Sequence, residues 1–399
     1  MYIEIRKAGF VNKGAELMLH AVVQQLRRNC PNARLVMEPS RETGPYPYRG
    51  RAELGLYQKA WLWRKNIPFG DLAALVPGRL REMYGVVLDS QIDVVLDAAG
   101  FAYTDQWGAE LSEELARASR RWKKRGTKVI LMPQAFGPFR DEKSKTAVKE
   151  FVANSDLIFA REPISYKYLT DIVGEQDKIK MCPDFTNLLE GTVPEYFDPA
   201  IHQIAIVPNY RMMDKTSEAV AKGYVPFLKR AAQKLLDKGA KPFMLVHEGE
   251  DDLKLAREVS QAVGGIPVII EANPLAIKGL LGACRGTVGS RFHGLVSALS
   301  QGVPSLATGW SHKYQMLFAD YGFEPGILDI GMSDEELDHV LEYLTDKQRS
   351  QELSVRLMLR SDALKKQSQA MWSDVYKILN NPIAGRQTAP AKHAGPVCS

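Results

Sequence analysis

Gly286-Thr287-Val288-Gly289-Ser290-Arg291-Phe292-His293-Gly294-Leu295-Val296-Ser297-Ala298-Leu299 reads as a short strand, a turn and the first turns of a helix. Leu295, Ala298 and Leu299 recur at helical spacing and give that helix a face to lay on a sheet. Gly302 suits its C-terminal cap and Pro304 forbids its continuation. Ser290 is placed to cap the N-terminus, which puts Arg291 and His293 in the first turn. Free backbone N–H groups and the helix dipole favour an anion there. Arg291 adds a fixed fork for a carboxylate or phosphate, and His293 a group that exchanges protons near neutral pH. A lone histidine would read as a half-buried structural residue; its setting between Arg291 and Gly294 favours a site.

The same β-then-α rhythm extends in both directions. Upstream, Tyr2–Arg6, Ala33–Met37, Ile92–Asp97, Lys128–Met132 and Asp156–Ala160 read as strands, with helical patterns at 16–28, 109–125 and 163–173. The rhythm lapses near 186–202 and restarts at Ile204–Pro208, Pro242–Val246 and Pro267–Ile270, ending at Pro304–Ala307. Alternation of this kind predicts an α/β protein with parallel strands and crossover helices. We expect two Rossmann-like domains, 1–190 and 200–330, facing a cleft with ligands beyond the carboxyl ends of the strands. C-terminal helices are expected over 331–380, opened by the capping-box spacing of Ser333 and Glu336. The tail 381–399, with Pro382, Pro390 and Pro396 and no periodicity, is expected to be disordered.

Composition excludes several classes. The 399 residues carry 52 Lys+Arg against 47 Asp+Glu, a surplus of five that is too diffuse to argue for nucleic acid. No run of about 18 uncharged apolar residues is present, so no spanning helix is expected. Met1-Tyr2-Ile3-Glu4-Ile5-Arg6 lacks the apolar core of a signal peptide, which points to the cytoplasm. Cys30, Cys182, Cys284 and Cys398 form no CxxC pair, so neither a zinc site nor a disulfide framework is expected, and reduced thiols fit that compartment.

Further candidates lie at predicted strand ends. Arg161 follows the strand Asp156–Ala160 and precedes Glu162-Pro163, where Pro163 can open a helix; a plain salt bridge is the alternative. The loop Gly9–Glu16, with Asn12 and Glu16, can cradle an anion but lacks the GxGxxG spacing. In Asp97–Gly108, Asp97, Tyr103, Asp105, Gln106 and Trp107 offer polar groups for sugar hydroxyls and a ring for a sugar face. Asp97 or Asp105 could accept a hydroxyl proton. His247-Glu248-Gly249-Glu250-Asp251-Asp252 resembles an acidic metal or sugar site, or plain acidic residues at a helix start. Asp184, after Cys182-Pro183, reads as a turn cap. His312 and Lys313 follow the last strand of the second half and could touch an anion. The segment 41–81 is irregular and interleaves Tyr46, Tyr48, Arg49, Arg51, Trp61, Trp63, Arg64 and Lys65. It reads as a partly helical insertion, or as a surface for a sugar, a lipid headgroup or a nucleic acid.

Three of these stretches resemble the polysaccharide pyruvyl transferases. Gly9–Glu16 is similar to that family's Gly–Asn–x–Gly–(Asp/Ala)–Glu loop. Ala160-Arg161-Glu162 with Ser165 is similar to its Arg-Glu-x-x-Ser helix start. Ser290-Arg291-Phe292-His293-Gly294 with Gly302-Val303-Pro304 is similar to its Arg-(Leu/Phe)-His motif. Where the family often carries Gly-Gly-Gly, this chain has Asp97-Ala98-Ala99-Gly100, a difference that bears on the acceptor. The resemblance spans about residues 9 to 330. It implies a GT-B-like fold and transfer of the enolpyruvyl group of phosphoenolpyruvate to two hydroxyls of a sugar, giving a pyruvate ketal in exopolysaccharide or cell-surface glycan synthesis. It implies donor contacts from Arg161 and Arg291, with His293 as acid–base; by their place beside these, Ser290, Phe292, His312 and Lys313 are read as further donor contacts. Asp97 or Asp105 would activate the acceptor, and Asn12, Glu16, Tyr103, Gln106 and Trp107 would bind it. The acceptor would be a sugar or lipid-linked oligosaccharide, and the basic aromatic stretch 46–65 is compatible with contact at the inner membrane face. Acid catalysis requires neither metal nor cofactor, and none is expected. The alternative is a nucleotide-sugar-dependent GT-B glycosyltransferase, weakened because no paired-Glu signature stands near 305–320. A non-catalytic sugar-binding protein on the same fold is the third option.

Overall fold

A computed structural model of the chain describes residues 1–39, 49–61, 70–309 and 311–381. Tyr46, Tyr48, Trp63, Arg64, Lys65, Trp310 and the tail 382–399 lie outside them. The chain divides into two compact units, one from Met1–Phe185 with the residues from Gln367 onward, the other from Thr186–Lys366. Among the described residues no helix is long and apolar enough to cross a membrane.

The first unit holds β1 (Tyr2–Arg6), β2 (Arg34–Met37), β3 (Tyr57–Lys59), β4 (Val86–Val87), β5 (Val94–Asp97), β6 (Lys128–Gln134), β7 (Leu157–Ala160) and β8 (Ile179–Met181). They form one sheet in the order β4-β3-β2-β1-β5-β6-β7-β8, with every pairing parallel. β5 and β7 are buried along their whole length, as a parallel sheet covered on both faces requires. The helix Lys13–Asn29 follows β1, its N-terminus capped by Asn12, whose side chain accepts from Ala15 N at 2.9 Å. It buries Leu17, Leu19, Val22, Val23 and Leu26. The helix Glu110–Lys124 contributes Trp122, and Glu142–Asn154 contributes Phe151 and Val152, to the same core.

Tyr2–Arg6 is a strand, as its alternation predicts, and its polar residues Glu4 and Arg6 are buried. Burial is possible because each is paired: Lys59 Nζ bonds both Glu4 oxygens at 2.8 and 2.7 Å, and Arg6 Nη2 bonds Glu114 at 2.6 Å. The segment 41–81 is not merely an insertion, because Tyr57–Lys59 joins the sheet. Lys59 concealed that strand from hydropathy: it is buried against Glu4 and lies 3.0 Å from Asp89. The thiols are also not uniform. Cys30 is disulfide-bonded, against the expectation of reduced cysteines, whereas Cys182 and Cys284 are free, and burial pushes each up to about 12.

The second unit holds β9 (Ile204–Val207), β10 (Pro242–Val246), β11 (Val268–Ile270), β12 (Gly286–Gly289) and β13 (Ser305–Ala307). The order is β11-β10-β9-β12-β13, again wholly parallel. Helices Glu218–Asp237 and Gly249–Ala262 pack Phe227, Leu228, Ala256 and Val259 into its core. Ser333 and Glu336 close the capping box that opens helix Asp334–Thr345. The helix Lys347–Asn380 follows, with Leu353, Leu357 and Leu364 in that core. Farther along, Tyr376 meets Asn29 and Asp374 meets Lys180, both in the first unit's own sequence.

Candidate active site

Parallel strands deliver their following loops to one edge of a sheet. In the second unit Gly289 pairs with Val207 and with Ala307, so the turns after β9, β12 and β13 leave side by side. Ser290 is the fastening point. Its hydroxyl accepts from Tyr224 at 2.7 Å and lies 2.6 Å from Thr308 Oγ1. Its carbonyl accepts from Asn209 Nδ2 at 2.7 Å and from Tyr314 at 2.8 Å. Ser290 is therefore not the helix cap expected from the sequence. The helix is Phe292–Leu299, and Arg291 holds the capping position without a side-chain cap hydrogen bond. The Ser290 hydroxyl is engaged by Tyr224 and Thr308 instead.

Arg291 is held by two carboxylates. Its Nε and Nη2 reach Asp252 Oδ2 at 2.8 and 2.5 Å, and its Nη1 reaches Glu248 Oε2 at 2.8 Å. Both acids come from the run after β10. Burial raises the pKa of Asp252, and Arg291 opposes that shift. Among the described residues no three His, Cys, Asp or Glu side chains gather as a metal site; this run serves Arg291 instead.

His293 is half-buried on the first helical turn, its ring edge-on to Phe292 at 5.4 Å. Gly294 follows, and a Cβ there would meet Arg291 and His247. Lys313 sets its ammonium 5.2 Å from the Phe292 ring centre, and Tyr314 packs edge-on to the same ring. His312, beside Lys313, precedes the helix Lys313–Asp320. The second unit thus gathers Ser290, Arg291, Phe292, His293 and Lys313 around one turn.

In the first unit Arg161 is buried, with Nη1 on Asp184 at 3.1 Å. The Arg-Glu-x-x-Ser pattern has a physical reading. Glu162 caps the helix Pro163–Val173 by accepting from Ile164 N and Ser165 N, while the Ser165 hydroxyl accepts from Phe136 N at 2.8 Å.

Asp97 and Tyr103, expected at the acceptor, are turned to each other in the interior of the first unit. Both are fully buried; Tyr103 donates to Asp97 at 2.7 Å, and Arg6 Nε lies 3.2 Å from the same oxygen. Burial raises the Asp97 pKa, with Arg6 and Tyr103 opposing it. Asp105 is committed as well, since its Oδ2 accepts from the backbone of Arg140 and of Asp141. Burial pushes its pKa up, but Ser144 and those N–H groups outweigh it and make Asp105 a weak base. Gln106 and Trp107 are exposed. Asn12 caps its helix, and Glu16 is bonded to Lys13 at 2.7 Å, its pKa raised by burial against the pull of Lys13.

Sequence reading missed Tyr224, Asn209 and Tyr314, and did not connect Asp252 and Glu248 to Arg291. Only the acidic run after a predicted strand offered a signal; the others are ordinary polar residues distant in sequence.

The GT-B-like character of the fold is borne out by solved structures. UDP-GlcNAc 2-epimerase from Neisseria meningitidis bound to UDP-GlcNAc superposes with a TM-score of 0.58 at 10% identity, covering 94% of this chain and all of that one (100%). Anabaena Alr3699/HepE in complex with UDP gives 0.55 at 12% identity, covering 94% and 99%. Staphylococcus aureus MnaA with UDP gives 0.54 at 11%, covering 95% and 97%. Identities this low speak for the fold alone. The profile of one family, Polysaccharide pyruvyl transferase, matches residues 12–312, a span that starts within the loop Gly9–Glu16 and contains the motifs at Arg161 and Arg291. The chain belongs to the polysaccharide pyruvyl transferase family.

Proposed function

We propose that the protein transfers the enolpyruvyl group of phosphoenolpyruvate to two hydroxyls of a sugar, forming a pyruvate ketal and releasing phosphate. The observation that carries the reading is the first turn of Phe292–Leu299. A guanidinium fixed by two carboxylates, an imidazole two residues on and the N-terminus of a helix stand together there. An anionic enol ether needs that set: positive groups to hold it and an acid to protonate it.

In the proposed course His293 gives a proton to the methylene carbon, and C2 becomes oxocarbenium-like. The first hydroxyl adds at C2 and returns its proton to His293. The C2–O bond to phosphate then breaks, the second hydroxyl closes the ketal, and its proton leaves on phosphate. Arg291 and Lys313 hold the donor so that addition is effectively intramolecular. Arg161 is the corresponding anion-binding candidate of the first unit. The exposed Trp107 and Gln106 are proposed to meet the acceptor sugar, whereas Asp97 and Tyr103 position the loop that carries them. The test is incubation with phosphoenolpyruvate and candidate sugars. Phosphate release with a matching mass gain on the sugar supports the proposal; release of a nucleoside diphosphate from a nucleotide sugar contradicts it.

We also propose peripheral contact with an anionic lipid surface, where a lipid-linked acceptor would lie. Leu72, Leu75, Val76, Leu80, Met83 and Tyr84 are all exposed, from 43% for Val76 to 81% for Leu75, and Arg79 stands exposed among them. Apolar side chains with neighbouring arginines suit a bilayer interface. Vesicles containing phosphatidylglycerol should carry the protein upward on flotation, and Leu75→Glu with Met83→Glu should abolish this. Equal flotation of the variant would contradict the proposal. So would a dimer that forms without lipid and is lost in the variant.

A further inference from the structure

Each sheet has a place where the order of its strands reverses. In the second unit the chain runs outward from β9 to β11 and then returns to β12, so the turns after β9 and β12 part, and Arg291 stands there. Loops that part in this way leave a crevice beyond the carboxyl ends of the strands, where open α/β sheets bind their ligands. The first sheet has the same feature between β1 and β5: the chain runs outward from β1 to β4, returns to β5 and continues to β8. Arg6 pairs with Asp97 at the ends of those two strands, so Lys7 opens one of the parting loops. Lys7 has φ +60, and among the described residues it is the one non-glycine residue with a positive φ. Glycine and asparagine take that conformation readily, and lysine does not. Residues held in such conformations cluster at ligand sites. The Lys7 ammonium lies 3.4 Å from Glu114 Oε2, an oxygen that Arg6 Nη2 already bonds at 2.6 Å. Arg6 also meets Asp97 at 3.2 Å and is 2% exposed, whereas Lys7 is 24% exposed. Lys7 is thus the outer and looser of the two cations on Glu114. A neutral sugar hydroxyl could be bonded by asparagine at this position without the backbone strain. Lysine adds a point charge on a long stem, and a charge of that kind suits a phosphate.

We propose that Lys7 is an acceptor-binding residue whose ammonium takes a phosphate group carried by the acceptor. The inference rests on the reading of the loop after β5, with Gln106 and Trp107, as the acceptor side. Lys7 supplies the other wall of the same crevice. Arg6 and Asp97 remain its buried floor, and Glu114 keeps its bond to Arg6 when Lys7 turns to the ligand. Lys7 thereby selects phosphate-bearing acceptors over neutral sugars.

The test begins with a footprint at the residue itself. Wild-type protein is treated with trace acetic anhydride, and peptide mass spectrometry reads the acetylation rate of each lysine, alone, with inorganic phosphate and with methyl glucoside. Phosphate should slow acetylation of Lys7 about tenfold, the size of one charge-assisted hydrogen bond, and methyl glucoside should leave it unchanged. Lys222 and Lys254, 77% and 74% exposed, serve as references and should react equally in all three samples. No slowing at Lys7, equal slowing by methyl glucoside, or equal slowing at the reference lysines would overturn the inference. Steady-state kinetics then shows which substrate brings the phosphate. With the acceptor that the phosphate-release assay identifies, Lys7→Asn, which suits the backbone and lacks the charge, should raise the acceptor KM about tenfold and change kcat less. Lys7→Arg should restore most of the affinity. An unchanged acceptor KM in Lys7→Asn, or a rise confined to the KM for phosphoenolpyruvate, would overturn the assignment to the acceptor. If the footprint forms while no sugar accepts an enolpyruvyl group, the anion site at Lys7 stands and the pyruvyl-transfer reading falls.

Discussion

Two nitrogens of Arg291, Nε and Nη2, converge on a single oxygen of Asp252 at 2.8 and 2.5 Å. The other Asp252 oxygen accepts from Tyr210 N. One buried carboxylate thereby joins helix Gly249–Ala262 to the turn after β12 and the loop after β9. Removing one partner of a buried ion pair typically costs about 3–5 kcal/mol, because the remaining charge stays desolvated. Arg291 is partly exposed, so we expect the lower end, about 3 kcal/mol, for Asp252→Ala in urea unfolding. Asp252→Asn should retain part of the stability and still lower kcat/KM by more than tenfold. A full-activity Asn variant would show that the orientation of Arg291 does not matter.

Glu114 gives the fold a pH dependence of known sign. Burial disfavours its charge, but Arg6 and Lys7 outweigh burial and hold its pKa at about 2, against an ordinary 4.5. A depressed carboxylate stabilises the fold above its unfolded pKa, and the gain is lost as pH falls through the folded value. The window is therefore about pH 4.5 down to 2. The shift corresponds to roughly 3 kcal/mol. Glu114→Gln should lower stability at pH 7 by about that amount and flatten the acid limb of a stability–pH curve. An unchanged acid limb would remove Glu114 from the account.

Gly279 shows two opposing effects of one substitution. It lies within helix Pro274–Ala283, where alanine is favoured by about 1 kcal/mol. A Cβ there would run into the backbone of Thr192, and one on Gly191 into the backbone of Gly279. Backbone cannot yield as a flexible side chain does, so the overpacking cost, about 3 kcal/mol, wins. Gly279→Ala should lower the thermal midpoint; a raised midpoint would contradict this contact.

The legible parts of the molecule were those written locally. Val94-Val95-Leu96 and Ile204-Ala205-Ile206-Val207 announce buried strands by composition, and the Ser333–Glu336 capping box by spacing. Lys59 hid β3 because a charged residue is read as exposed, and its partners Glu4 and Asp89 lie 55 and 30 positions away. Ser290 was misread for the same reason. Serine is a favoured helix cap, and nothing local reveals that Tyr224, 66 positions upstream, claims its hydroxyl. Asp97 looked reactive as a carboxylate at a strand end, but Arg6 and Tyr103 enclose it. The motif residues Arg161, Arg291 and His293 could be picked out from sequence; the carboxylates that hold the two arginines could not.

The central claim is proton transfer to the donor's methylene carbon followed by ketal formation, and running the reaction in deuterium oxide tests it most directly. Proton and deuterium NMR of the purified product should show a ketal methyl group carrying one deuterium, with phosphate released in equal amount. His293→Ala should form none of it while keeping the wild-type unfolding midpoint. A sugar product without that methyl signal, or an undiminished rate in the His293 variant, would contradict the account.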